Sequence, residues 1–369
     1  MKDNWFLIRE VDELDSPALT VHKDRIQYNI DTMIGMVKDP LRLRPHVKTY
    51  KIPEIVNMQI RAGIRKFKCA TIAEAEMLAL TGAQDVLLAY PLVGPRLNRF
   101  FQLIPKYPDT KFSVIIDHES GARSVAEKAV NSFVPVNVYL DINNGNNRTG
   151  ISPDHAFVLF KKCFELKGIN PLGLHVYDGH IRENDPEIRK RKCDLDFQKV
   201  KNLGLFIRQK LDFEPVIVAG GSPTFPIHSR REKIECSPGT SLLWDAGYSE
   251  NFPDIPFQTA AVVITRVVSQ PAPRIFCLDL GHKSIASENP LNNRIRFLNK
   301  VGLEPVNHSE EHLVIKSEKE DYLEVGEVLY GIPYHICPTA ALYDEVAVIR
   351  NNLIVHTWKI MARSRKITI

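Results

Sequence analysis

The sequence predicts an α/β fold: a (β/α)8, TIM-type barrel followed by a second, mainly β C-terminal domain. Three observations predict it. Between residues 43 and 236, eight short apolar runs alternate with longer helical patterns. Strands separated by helices pair in parallel, because a parallel pair needs a crossover connection. The first run ends in RPHVKTYK, without the glycine-rich phosphate turn that usually opens a doubly wound sheet, the alternative arrangement. After Asn251–Pro256, helical periodicity gives way to short β-prone runs.

In chain order the expected barrel strands are Leu43–Lys48, Lys66–Ala70, Asp85–Ala89, Lys111–Asp117, Pro135–Asp141, Gly173–Tyr177, Pro215–Ala219 and Lys233–Cys236. Helical stretches such as Pro53–Ala62 and IAEAEMLAL lie between them. Eight such units fit a closed barrel of roughly 200–250 residues. The barrel is expected over residues 17–255 and the β domain over 256–369, joined by the proline-rich NFPDIPF. The β domain is read from AAVVITRVVS, RIFCLDLG, EHLVIKS, EVLYGIPYHI and EVAVIRNNLIVHTWKI. Residues 1–16 are expected to associate with it, and Ala18–Val21 reads as a strand that pairs with it.

The chain has 369 residues, 44% of them hydrophobic, and a net charge of +4. Its cations are interspersed with acids, which speaks against a nucleic-acid groove or a membrane surface. No run approaches the ~20 apolar residues of a bilayer span, and the N-terminus lacks a signal-peptide core. Six cysteines are scattered without a CxxC pair, so neither a disulfide framework nor a structural zinc knuckle is indicated. Free thiols point to a reducing compartment, the cytoplasm.

In a β/α barrel the chemistry sits at the carboxyl ends of the strands. There the sequence places His46-Val47-Lys48, the run Asn143 to Arg148, His175 to His180, Gly220-Gly221-Ser222-Pro223-Thr224 and Ser237-Pro238-Gly239-Thr240. Each has a bland reading: a strand-end lysine is commonly solvated, and GGSPT is commonly a plain turn. Their coincidence at five strand ends argues for one shared site. A pocketed lysine can lose its proton and attack an aldehyde. The two glycine-containing turns can aim backbone N–H groups at a phosphate, and Arg148 can hold an oxyanion. Lysine, phosphate cradle and arginine together are what pyridoxal 5'-phosphate (PLP) needs.

Taken together, RPHVKTYK, KCATIAEAE, NNRTG, HVYDGH, GGSPTFP, ECSPGTSLLWDAGY, EEHLV and PYHICP resemble the D-threonine aldolase / D-serine dehydratase family. These are fold-type III PLP enzymes related to alanine racemase. The likeness runs from DSPAL near residue 16 to beyond Cys337. It implies that Lys48 carries the cofactor as a Schiff base, that Arg148 contacts its phenolic oxygen and that Tyr177 lies close to it. By the same likeness Gly221, Ser222, Thr224, Gly239 and Thr240 bind the phosphate, and Tyr248 sits by the pyridine nitrogen. His335 and Cys337 match the family's metal pair, His-x-Cys or His-x-Asp. His-x-Cys binds zinc in the dehydratases, whereas His-x-Asp holds a divalent metal such as manganese in the aldolases. The thiol here leans the metal towards zinc. Without the likeness, a His-x-Cys pair on a strand reads as a buried structural pair facing one way. Tyr50 stands where histidine is frequent in the family. His46, His175, His180, His282 and His312 are further acid–base or supporting candidates, and Asp279 a candidate neighbour of the metal. The resemblance also implies a homodimer.

The function implied is a PLP-dependent, metal-assisted lyase acting on a small β-hydroxy D-amino acid. Aldol cleavage would give glycine and an aldehyde. Dehydration of D-serine or D-3-hydroxyaspartate, giving a 2-oxo acid and ammonia, is the alternative. A non-catalytic PLP carrier would resemble the barrel alone, whereas this chain continues into a domain bearing His335 and Cys337. A racemase would need a second base on the opposite face of the cofactor; Tyr330 and Tyr334 could be proposed, but they stand beside a metal-like motif that racemases lack.

Overall fold

The computed structural model describes residues 4–320 and 322–369. The chain forms two compact units, Met33–Gly239 with Ser364–Ile369, and Met1–Thr32 with Thr240–Arg363. Strands are numbered along the chain. β1 (Ala18–His22) belongs to the latter unit and β2 to β8 to the barrel.

The barrel strands are β2 (Lys66–Cys69), β3 (Asp85–Leu88), β4 (Lys111–Ile116), β5 (Val136–Ile142), β6 (Ile169–Val176), β7 (Val216–Ala219) and β8 (Ile234–Cys236). They pair in chain order, all in parallel. Seven continuous strands therefore stand where eight were expected. The eighth place is taken by the extended Leu43–His46 segment, which makes only isolated bridges, Leu43 to Cys236 and His46 to Lys68. Pro45 explains the difference. It has no N–H to donate and only accepts, from Lys68 N at 2.9 Å, while Arg44 N and His46 N donate to Cys236 O and Pro238 O. The segment still touches both β8 and β2, so it closes the ring.

The outer helices start where the sequence supplies a start. Proline occupies the first turn of Pro53–Arg61, Pro95–Lys106, Pro153–Glu165 and Pro186–Leu211, where a missing N–H costs nothing. Thr71 caps Ile72–Leu80 by accepting from Glu74 N at 3.1 Å.

Inside the barrel, side chains at alternate strand positions share a face. One layer packs Leu87, Ile115, Tyr139 and Val218. Beside it Arg44, fully buried, forks onto Asp85 at 2.6 and 3.0 Å and reaches Glu235 at 2.7 Å, and Lys66 also pairs with Glu235. Two cations match two carboxylates, so the layer is neutral. Arg44→Ala would leave both acids underpaired and should cost about 3–5 kcal/mol. That loss should lower the thermal midpoint by roughly 10 °C; a midpoint within a degree of the parent would show the network to be dispensable.

The second unit is a mainly antiparallel sheet. Its strands are β9 (Ala261–Ala272), β10 (Ile275–Leu278), β11 (Ile295–Phe297), β12 (Leu303–His308), β13 (Leu313–Ser317), β14 (Val328–Pro333), β15 (Glu345–Arg350) and β16 (Leu353–Lys359). The path runs β12-β13-β10-β9-β1-β15-β16, with β14 also on β9 and β11 on β14. β1 lies between two partners, antiparallel to β9 and parallel to β15. Phe6, Ile8, Val262, Ile264, Tyr330 and Ile349 form its core. Among the described residues no helix is long and apolar enough to cross a membrane.

Candidate active site

At the end of the Leu43–His46 segment the chain turns through a 3-10 helix, Val47–Thr49, capped by His46, whose Nδ1 accepts from Lys48 N at 3.2 Å. Burial and the neighbouring Lys48 and Lys68 hold the His46 imidazole well below its ordinary value, hence neutral. Lys48 is half-buried, with Nζ 5.6 Å from the centroid of the Tyr177 ring. Lys68 Nζ lies 5.7 Å and the Arg148 guanidinium carbon 4.9 Å from the same centroid. Three cations thus gather on one aromatic ring, each within cation–π range.

Behind the ring lies a buried polar chain. Lys68 on β2, Asp141 on β5 and His175 on β6 are each under 5% exposed. His175 Nδ1 is 2.7 Å from Asp141 Oδ1, and Thr149 Oγ1 donates to Asp141 Oδ2 at 2.7 Å. Burial would raise the Asp141 carboxyl, but the bonds from His175 and Thr149 outweigh it and hold it below its ordinary value. Burial and Lys68 lower His175, which is therefore neutral. A carboxylate only accepts, so Nδ1 carries the ring proton and Nε2 is a bare acceptor. Lys68 Nζ, 3.3 Å away, donates to it.

The two glycine turns meet as a cradle. Gly239 N donates to Ser222 Oγ at 3.3 Å and Gly221 N to Thr224 Oγ1 at 3.2 Å. Gly220 adopts φ +87°, and a Cβ there would come 2.7 Å from His228 Cδ2, so both conformation and space require glycine. A Cβ on Gly221 would stand 3.1 Å from the Tyr177 ring, and one on Gly239 would stand 3.3 Å from His46 Cβ. The first unit therefore brings together Lys48, Arg148, Tyr177, Gly221, Ser222, Thr224 and Gly239.

Thr224 is pinned from below. Its Oγ1 donates to Asp178 Oδ1 at 2.8 Å, and His228 Nε2 lies 2.8 Å from Asp178 Oδ2. Arg231 donates to His228 Nδ1 at 2.6 Å. Burial opposes ionisation of Asp178, yet these bonds keep its carboxyl below the ordinary range. Cys193 Sγ lies 3.5 Å from His228 Nε2, and burial pushes its thiol up to about 12. Asp178, Cys193 and His228 offer ligand atoms within 4.8 Å of one another. Each atom is already hydrogen-bonded, however, the thiol is held protonated, and the Arg231 guanidinium stands 3.6 Å from the sulfur. The donor set suits a hydrogen-bonded buttress under the cradle better than a cation.

The other expected residues belong to the second unit. His335 and Cys337 do not lie on a strand: His335 stands at the N-cap position of the short helix Ile336–Ala340, its side chain not bonded to the helix start, and Cys337 lies in the first turn. Asp245 fixes that helix start, accepting from Ile336 N and Tyr248 N at 2.9 Å each. Gly247 N donates to Tyr334 O at 3.1 Å, and a Cβ on Gly247 would lie 2.6 Å from that oxygen. Thr240 Oγ1 is 3.5 Å from Cys337 Sγ and Glu288 Oε1 is 2.5 Å from His335 Nδ1. Burial alone would lower His335, but Cys337, Glu288 and Asp245 raise its imidazole to about 9. Tyr248 stacks on Trp244 at 5.0 Å.

Several candidates have plainer work. His180 pairs with Asp196 at 2.9 Å, exposed His282 meets His308 edge-on at 5.8 Å, and His312 is exposed. Asp279 spends its carboxylate on Ser16, Thr265 and Arg266 N, tying strands together. Buried Tyr50 accepts from Gln59 Nε2 at 2.7 Å. Lys68, Asp141 and His228 were not singled out from the sequence. For Lys68 on β2 and Asp141 on β5 the available signal is position, since charged residues interrupt strands that a parallel barrel buries on both faces; His228 lies in the short helix Phe225–His228 and had no such signal.

Known proteins fit this geometry. Residues 21–245, well over half of the chain, match the alanine racemase N-terminal domain, and residues 260–349 match a serine dehydratase domain. The chain is 26% identical over 357 residues to a D-threonine aldolase of Arthrobacter sp, covering 95% of this chain and 93% of the relative. It is 30% identical over 237 residues to a D-threo-3-hydroxyaspartate dehydratase of Delftia sp. strain HT23, covering 63% of this chain and 62% of that one. The crystal structure of a D-threonine aldolase from Filomicrobium marinum superposes with a TM-score of 0.88 at 26% identity, covering 95% of this chain and 96% of the other. The chain therefore belongs to the D-threonine aldolase / D-serine dehydratase family of PLP enzymes, whose barrel is the alanine racemase N-terminal domain.

Proposed function

We propose that this protein is a PLP-dependent, metal-assisted lyase that cleaves a small β-hydroxy D-amino acid into glycine and an aldehyde. The carrying observation is the gathering of Lys48, Lys68 and Arg148 on Tyr177 beside the Gly220–Thr224 and Gly239 cradle. These groups outnumber Asp141, the carboxylate joined to Lys68 through His175, so the site favours a negatively charged ligand. The cradle supplies the small residues and hydroxyls that let a phosphate approach the backbone, with Gly220 and Gly221 leaving little room for a Cβ. These residues fit pyridoxal phosphate. Lys48 would hold it covalently, Arg148 its ring oxygen, and Gly221, Ser222, Thr224, Gly239 and Thr240 its phosphate, with Tyr177 beside the ring and Tyr248 by the pyridine nitrogen. When bound, it supplies an electron sink for bond breaking at the amino-acid Cα.

His335 and Cys337 would hold a divalent cation, with Glu288 orienting the imidazole. Two protein ligands would leave positions open to substrate, and a cation there would supply Lewis-acid assistance at the β-hydroxyl. The thiolate selects zinc over manganese. Cys337 also supports the second reading, dehydration of D-serine or a 3-hydroxy-D-aspartate. One related D-threo-3-hydroxyaspartate dehydratase is known as a cysteine-to-alanine variant in a metal-free form. We further propose a homodimer in the cytoplasm, in keeping with six cysteines that form no disulfide among the described residues. The deciding assay offers D-threonine and D-serine to the zinc-loaded protein. Glycine with acetaldehyde is expected to dominate. A 2-oxo acid with ammonia would establish the dehydratase, and racemisation alone would defeat both readings.

A further inference from the structure

Lys68 enters the proposed cofactor site above only through its charge, yet it also ends a buried chain that runs from Asp141 through His175 to the ring it shares with Lys48. The two lysines are neighbours by construction. Lys68 N donates to Pro45 O, and His46 bridges to Lys68 two residues before Lys48. Both amines lie within 6 Å of the same Tyr177 ring centroid, at 5.6 and 5.7 Å. The chain is directional: Asp141 accepts from His175, and His175, neutral, accepts from Lys68. That leaves the rest of the Lys68 amine for the cation-rich mouth. A lysine needed only as a counter-charge would sit on the carboxylate itself, with no imidazole between.

We propose that Lys68 is a proton-holding, positioning residue for Lys48. It takes the proton that the Lys48 ammonium must lose before its nitrogen can attack the cofactor carbonyl, and returns it when Lys48 is released. One proton moves each way. The Lys48 nitrogen gains the bond to carbon in the first step, and the carbonyl oxygen leaves as water. This rests on the reading of Lys48 as the cofactor lysine. The groups facing Lys68 are His46 and Lys48 from the Leu43–Thr49 segment, Asp141 on β5, Arg148 after it, and His175 with Asp178 on and after β6. Burial, with Lys48 second, brings the Lys68 ammonium down to about 7, while Asp141 and Asp178 oppose the shift. Lys68 can therefore be either base or acid at neutral pH.

The test compares Lys68→Met and Lys68→Arg with the parent by stopped-flow absorbance as PLP is added to the cofactor-free protein across pH 6–9. Arginine keeps the charge and cannot give up the proton. Both variants are expected to load about tenfold or more slowly at neutral pH and to lose an inflection near 7, with the borohydride-fixed product still on Lys48. Arginine restoring the parent rate and pH profile would reduce Lys68 to a fixed charge and overturn the proposal. Should either variant not fold, lysine-selective 13C NMR of the PLP-loaded parent decides. One lysine signal is expected to titrate near 7, and none titrating below about pH 9 would overturn it. A parent that never forms the visible band would instead sink the cofactor reading of Lys48.

Discussion

Lys48→Ala is expected to leave a folded protein that takes up no covalent cofactor and loses turnover by about 10⁴-fold or more. The fold should survive, because Lys48 contributes only its backbone N–H to the Val47–Thr49 turn, where His46 Nδ1 accepts it. Its side chain is half-buried at the rim. Absorbance before and after substrate, and peptide mass spectrometry after borohydride reduction, check both losses. The parent should yield one modified peptide containing Lys48. A retained adduct in the variant would place the covalent link on another amine, with Lys68 the first to examine, and would remove the basis of the proposed function.

Removing the metal is the second large effect. Chelation, or His335→Ala, should cost several kcal/mol of Lewis-acid assistance, about 10³-fold in rate. The visible band should persist, because Lys48 and the Ser222–Gly239 cradle need no metal. Cys337→Asp should then regain activity better with manganese than with zinc, a carboxylate being the harder ligand. Full activity in protein shown by elemental analysis to be metal-free would defeat the metal-assisted mechanism, whichever products form.

Much of this was legible because barrel strands announce themselves. Runs such as DVLLA and PVIVA are short, apolar and bounded by turn residues, and they recur as β3 and β7 within a residue or two. Leu43–Lys48 looked like its neighbours, but Pro45 prevents a continuous ladder there. β11 and β12 escaped notice because they are short or polar; LEPVNH is a half-exposed edge strand interrupted by proline. At the site, the residues found were those clustered in sequence at strand ends. Those missed are joined only by tertiary folding, Lys68 on β2 to His175 on β6, and Asp178 to His228 after the neighbouring strands β6 and β7. No local spacing could pair them. The His335–Cys337 motif was visible, but its place at a helix start was not, because that depends on Asp245 capturing Ile336 N.

The position of β1 bears on how the chain is made. Its backbone edges are both taken, by β9 on one side and β15 on the other. Neither partner exists while the ribosome is still translating the barrel. At roughly 5–20 residues per second, the strand ALTVH waits on the order of ten seconds or more for β9, and longer for β15. During that time an apolar strand with two open edges is exposed to every other nascent chain. Cellular yield should thus depend on what shields this one segment early in synthesis, and chains arrested before β9 should be its most aggregation-prone products.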